Sequence, residues 1–262
     1  MLKTLKKTSP VMAGIFALVL TACPGITPPT TTDPGTGSEQ ASISGTVTKD
    51  TGSNANNATV VLIKREGNND SDYQIKRTDS NGLYKFTNVP AGNYRVAYVV
   101  QSEQERKDKT PIGYSSTGNP SEYFGAITTR NFDYNGDSST TFQVPAFNVG
   151  WRANLSPHDA SIDFDRPTTI TWGSPNNSSS VVDYNVLIKD ANDNAFYKSA
   201  GGSSTNFTFT PSTTIGNQGS NNGKAMERTK LYYYIVNVTF ADTGSNPSIA
   251  YGNTTNGNFT TK

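Results

Sequence analysis

The chain has 262 residues, with 22 basic against 21 acidic, one cysteine and one histidine. A near-neutral balance without a basic stripe argues against nucleic acid as a partner. One His and one Cys leave no His/Cys metal cluster and no Cys–His or Ser–His–Asp set in view. Charged residues make up 16% of the chain, low against the usual quarter or so. Ser, Thr, Asn and Gly fill the gap, and that turn-rich style fits an all-β protein.

In chain order, Lys3, Lys6 and Lys7 precede an apolar run from Val11 to Leu20, and Leu20-Thr21-Ala22-Cys23 closes it. A charged start, a short apolar core and a small-residue cleavage site make a secretory signal peptide, expected over 1–22. The run has ten residues, about half of what a helix needs to cross a bilayer. Leu-Thr-Ala-Cys resembles the lipobox of bacterial lipoproteins. The resemblance implies that the Cys23 thiol takes a diacylglyceryl group. Cleavage then leaves Cys23 first, and its amine receives a palmitate-like acyl chain. Two or three chains hold a protein stably to a membrane, whereas one does so only marginally. Pro24, rather than Asp, follows the cysteine, and by the same analogy an outer-membrane destination is expected in a diderm cell. Loss of 1–22 removes three of the 22 basic residues and none of the 21 acids, a net charge of −2.

Residues 23–40 are rich in Pro, Thr and Gly, cannot bury enough apolar surface to fold, and read as a tether. From Ala41 the apolar period becomes two. Ile43, Gly45 and Val47 share one strand face. Ala58, Val60 and Leu62 repeat the pattern, Tyr73 and Ile75 suggest a third strand, and Tyr84 with Phe86 follows the Asp79-Ser80-Asn81-Gly82 turn. Tyr94, Val96, Tyr98 and Val100 line a further strand. Ser44-Gly45-Thr46-Val47, Ala58 to Leu62, Thr78 to Phe86 and Val89 to Val96 together resemble the carboxypeptidase regulatory-like domain. That family is a transthyretin-like sandwich close to the Cna B-type repeats and to starch-binding folds. The resemblance implies a fold, not an activity. The related Cna-type repeats often carry a Lys–Asn or Lys–Asp isopeptide bond beside a buried acid; no acid follows Tyr94-Arg95-Val96 here, so none is expected.

Residues 101–139 are irregular and read as a long loop. Gln101 to Lys109 is a charged, solvated run. Tyr123, Phe124, Phe132 and Tyr134 either pack over a sheet edge or form a platform for sugar rings. Thr140 to Trp151, with Phe142, Val144 and Phe147, is expected as the last strand of a first domain, 41–151. The second, 152–262, shows strands around Ile170-Trp172, Val182 to Ile188, Phe207-Phe209 and Tyr232 to Phe240. It resembles a fibronectin type III or Ig-like module. The resemblance makes Trp172 the core tryptophan and Tyr234 the strand-F tyrosine.

His158 lies at the joint without catalytic partners. Asp133-Asn135-Asp137 and Asp190-Asn192-Asn194 have the spacing of a calcium loop's first half, but lack the Gly at position six and the Glu at twelve, and read as turns. The expectation is therefore an all-β chain of two tandem antiparallel sandwiches behind a signal peptide and tether. It needs no cofactor, metal or nucleic acid, and it is not an enzyme. It serves as a lipid-anchored spacer and interaction module in the cell envelope, meeting a polysaccharide or another envelope protein. The alternative is a carbohydrate-binding lipoprotein using the aromatics of 112–134. An enzyme accessory domain is a third reading, disfavoured because no catalytic domain shares the chain.

Overall fold

The computed structural model describes residues 41–49, 52–102, 104–105, 123–176 and 180–262. The signal peptide, Cys23, the tether and residues 106–122 lie outside them. Among the described residues no helix is long and apolar enough to cross a membrane.

The protein is all-β. The first half holds β1 (Ser42–Thr48), β2 (Thr59–Glu66), β3 (Asn69–Arg77), β4 (Leu83–Thr87), β5 (Gly92–Val99), β6 (Ala126–Thr129), β7 (Phe132–Tyr134), β8 (Thr141–Gln143) and β9 (Phe147–Asn148). One layer runs β4-β1-β8, with β9 also on β1; the facing layer runs β3-β2-β5, with β6 and β7 on β5. Alternation places Ile43 and Val47 of β1 against Val60 and Leu62 of β2 and Tyr94, Val96 and Tyr98 of β5, all buried. Each such side chain contributes about 1.5–3 kcal/mol by leaving water. The expected strand over 140–151 is instead two short pieces, β8 and β9, each parallel to β1.

The second half holds β10 (Ala160–Ile162), β11 (Thr168–Thr171), β12 (Val181–Lys189), β13 (Ala195–Lys198), β14 (Asn206–Phe209), β15 (Leu231–Phe240), β16 (Ile249–Asn253) and β17 (Gly257–Thr261). β11 pairs with β14 as one layer. The other is β13-β12-β15, with β16 and β17 both on the far edge of β15 and β10 parallel to β17. Val186, Ile188, Tyr234, Val236, Val238 and Phe259 are buried between them.

The halves share a sheet. β6 pairs with β5 on one side and with β16 on the other, so one hydrogen-bonded ladder runs from β3 to β13. All four residues of β6 are buried, as befits a strand with neighbours on both edges and cover on both faces. That is why Ala126-Ile127-Thr128-Thr129 shows no alternation and reads as loop. At this seam Phe124 packs on Trp151 at 4.8 Å and near Phe240 at 6.2 Å between ring centroids. The Trp151 indole N–H donates to the Gly173 carbonyl at 2.7 Å. Gly252 lies directly under Phe124, where a Cβ would approach the ring to 2.7 Å. Thus only a bare backbone fits there.

Candidate functional site

Three of the four aromatics that the alternative reading made a sugar platform are core residues. Phe124, Phe132 and Tyr134 are 1%, 2% and 4% exposed. The cause is β7: Phe132 and Tyr134 pair opposite Tyr94 and Gly92 of β5, so both rings turn inward and Asp133 turns out. Phe132 stacks on Phe142 at 4.9 Å and Tyr134 meets the same ring edge-on at 5.8 Å. A platform needs an open ring face, so these three are corrected to core packing. Tyr123 alone keeps part of its ring at the surface.

Tyr123 lines a cleft of about 480 Å³ where β1, β2 and β5 meet. Its other walls include Lys49, Asn56, Asn57, Arg77, Tyr98, Val99, Gln101, Glu105 and Val149. The local chain explains each placement. Lys49 leaves β1 into a turn in which its N–H donates to the Ser53 carbonyl at 2.7 Å. Asn57 adopts φ +61°, which Asn tolerates well, and this turns the chain into β2. The Thr78 hydroxyl fixes that turn by donating to the Ala55 carbonyl and accepting from the Ala58 N–H. Arg77 ends β3 and donates to the Asn57 Oδ1 at 2.9 Å. Tyr123 is bridged to Gly150.

The electrostatics are mixed. The Lys49 ammonium stands 5.9 Å from the centre of the Tyr123 ring, within cation–π range. Glu105 and Ser102 form a capping-box pair: Oε2 accepts from the Ser102 N–H and hydroxyl, both at 2.8 Å, and the Ser102 hydroxyl accepts from the Glu105 N–H. Burial, with the nearby Tyr123 adding to it, raises Tyr98 well above the usual phenol value, so its hydroxyl stays neutral. Nothing in the sequence marked this cleft, because Lys49, Arg77 and Glu105 are far apart along the chain and each reads alone as a solvated charge.

The remaining candidates are structural. His158 Nε2 lies 3.3 Å from Asp159 Oδ2. Asn135 and Asp137 accept backbone N–H groups of their own turn, and Asp190 does the same for Asn192 and Asn194. Among the described residues no three His, Cys, Asp or Glu side chains are grouped to hold a metal. None of the described Lys, Asp or Glu side chains is buried, so no lysine sits in the core beside an acid. Trp172 is buried and meets Tyr184 edge-on at 5.7 Å. Tyr234 is fully buried, but its hydroxyl donates to the distant Pro157 carbonyl at 2.7 Å. Tyr232 accepts from the Glu227 N–H five residues upstream at 2.9 Å. Both tyrosines fit strand periodicity, and only the path of the loop before β15 distinguishes them.

Residues 42–111 match the carboxypeptidase regulatory-like domain. This stretch contains β1 to β5 and most of the cleft's walls. No curated protein matches the chain. Solved structures do. A DUF3823 family protein from Bacteroides uniformis is 12% identical, covering 83% of this chain and 98% of its own, with a TM-score of 0.28. A candidate carbohydrate-binding protein from the same organism is 13% identical over 84% and 98%, with a TM-score of 0.30. A streptococcal ancillary pilin is 13% identical over 82% of this chain and 59% of its own, with a TM-score of 0.32.

Proposed function

We propose that the chain is a non-enzymatic, lipid-anchored protein of the cell envelope. Its regulatory-like sandwich and the Ig-like or fibronectin type III-like sandwich after it, divided near 151/152, serve as spacer and interaction module. The observation that carries this reading is the lone cysteine at the end of a short apolar run, Val11 to Cys23, behind three lysines. A thioether there fixes the chain to the extracytoplasmic side of a membrane and accounts for a single thiol in an exported protein. The tether of 23–40 then spaces the sandwiches from the bilayer, and Pro24 favours the outer membrane.

Intact mass of the protein purified from membranes tests this. The expected species begins at Cys23 and carries a diacylglyceryl group with or without a third acyl chain. An unprocessed Met1 terminus, or recovery in the cytosol, overturns the reading.

A second reading rests on the cleft: carbohydrate binding through Tyr123. A partly open aromatic ring beside amide side chains suits a sugar's apolar face and hydroxyl rim. It replaces the four-ring platform.

A further inference from the structure

We infer that the free edge of β4 docks an extended acidic polypeptide; this names a partner chemistry for the interaction-module reading above and rests on it. β4 pairs with β1 alone. In an antiparallel pair only alternate residues turn their N–H and C=O toward the neighbour. Val47 donates to the Gly82 carbonyl at 2.8 Å, so the register turns Tyr84 and Phe86 toward β1 and leaves Leu83, Lys85 and Thr87 facing out. Asp79 takes both Leu83 groups, its carboxylate accepting the Leu83 N–H at 2.9 Å and its N–H donating to the Leu83 carbonyl at 3.0 Å. The Gln74 amide donates to the Thr87 carbonyl at 2.9 Å. The Lys85 N–H and C=O have no partner among the described residues, and one residue of an extended peptide pairs with both.

A groove of about 460 Å³ runs beside this edge, and every residue that lines it lies within the described stretches. Leu83 is 50% exposed and shares a strand face with Lys85, offering an apolar contact beside a cation. Gln74 lies opposite Leu62 and Lys76 opposite Val60, so both point from β3 toward the facing layer. Gln74 reaches β4, and Lys76 lines the groove at the same edge. Neither Lys76 nor Lys85 makes an ion pair among the described residues. Asp79 is the one acid among the described residues of the lining, and its Oδ1 holds the Asn81 and Leu83 N–H groups. The two lysines keep the groove positive with Arg77 outside the count. A free backbone pair, an apolar contact and two cations together select an extended peptide that mixes acidic and apolar side chains. A polyuronate would meet the lysines but leave the Lys85 amide pair and Leu83 unused.

The test titrates the full chain in detergent against a fluorescent hexapeptide of two Glu-Glu-Val repeats, read by anisotropy at low and high salt. The Gln-Gln-Val and Lys-Lys-Val hexapeptides, an N-methylated copy of the acidic one and a polygalacturonate oligosaccharide run beside it. Saturable binding of the acidic peptide is expected, weakened by salt and abolished by N-methylation. Lys76→Gln and Lys85→Gln should each lower the affinity by about two- to fivefold, as exposed ion pairs do. Leu83→Ser should lower it by about fivefold, while the urea midpoint of each variant checks the fold. Equal binding of the acidic and basic peptides, or indifference to both lysine variants, overturns the inference and leaves the interaction-module reading standing. Binding of the oligosaccharide with no effect of N-methylation overturns it as well, since the edge is then an anion site. Binding of no probe also overturns it, the lysines then only guarding a free edge; the anchoring reading is judged separately, by intact mass.

Discussion

Gly45 and Tyr84 face each other across β1 and β4. The tyrosine ring lies over the glycine so closely that a Cβ would meet its hydroxyl oxygen at 2.3 Å. Gly257 and Tyr234 repeat the arrangement in the second half, with a Cβ 2.3 Å from the ring. Gly45→Ala is therefore overpacking in a closed site and should cost about 1–3 kcal/mol, read as a lower urea midpoint at unchanged slope. Tyr84 gives the opposite sign. Its hydroxyl is buried without a hydrogen-bond partner among the described residues, and burial raises its pKa far above the phenol value. Tyr84→Phe removes an unsatisfied group while keeping the ring. It should be neutral or stabilising, by up to about 1–3 kcal/mol. A clear loss on Tyr84→Phe would mean that the hydroxyl has a partner.

At the scale of elements, the β12–β13 hairpin depends on Asp190. Burial alone would raise this carboxyl. Hydrogen bonds from the Asn221 side chain, from the Asn194 backbone and side chain, and from the Asn192 N–H outweigh it and hold the pKa below the usual range. Those bonds also tie the loop of 216–224 to the hairpin, Asn221 reaching Asp190 Oδ2 at 3.0 Å. The loop in turn covers the free edge of β13. The Asn217 amide donates to the Lys198 carbonyl and accepts its N–H, as a neighbouring strand would. A depressed folded-state pKa gives stability that is present above the unfolded value, about 3.9, and lost as pH falls through the folded value. Wild type should therefore lose urea resistance on acidification below about pH 4 more steeply than Asp190→Asn, which keeps the shape without the titration. Equal pH profiles would show that Asp190 does not stabilise this corner.

For the molecule as a whole, the β6–β16 seam predicts one unfolding event. Backbone ladders, Phe124 and the Trp151 bond to Gly173 couple the halves, and one apolar cluster runs through both. Trp151 lies at the seam and Trp172 within the second half. Urea unfolding followed by tryptophan fluorescence and by circular dichroism should give coincident transitions. Phe124→Ala should lower the midpoint of both signals together, by about 3–5 kcal/mol. Two separated transitions would sink the coupling.

The all-β class, the turns at Asp79–Gly82 and Asp190–Asn194, and the strands around Val60, Tyr94, Val186 and Val236 were legible in the sequence. Each depends on local periodicity or turn chemistry, which neighbouring residues encode. The regulatory-like stretch was legible for the same reason, since its motifs lie on consecutive strands and turns. The inward turn of Phe132 and Tyr134, the Tyr234 bond to Pro157, the buried strand β6 and the cleft around Tyr123 belong to the tertiary structure. Each depends on partners distant in sequence: β5 for Phe132 and Tyr134, Pro157 for Tyr234, β16 for β6, and Lys49 for Tyr123. Apolar spacing reports which residues share a face, but not whether that face meets water or another layer.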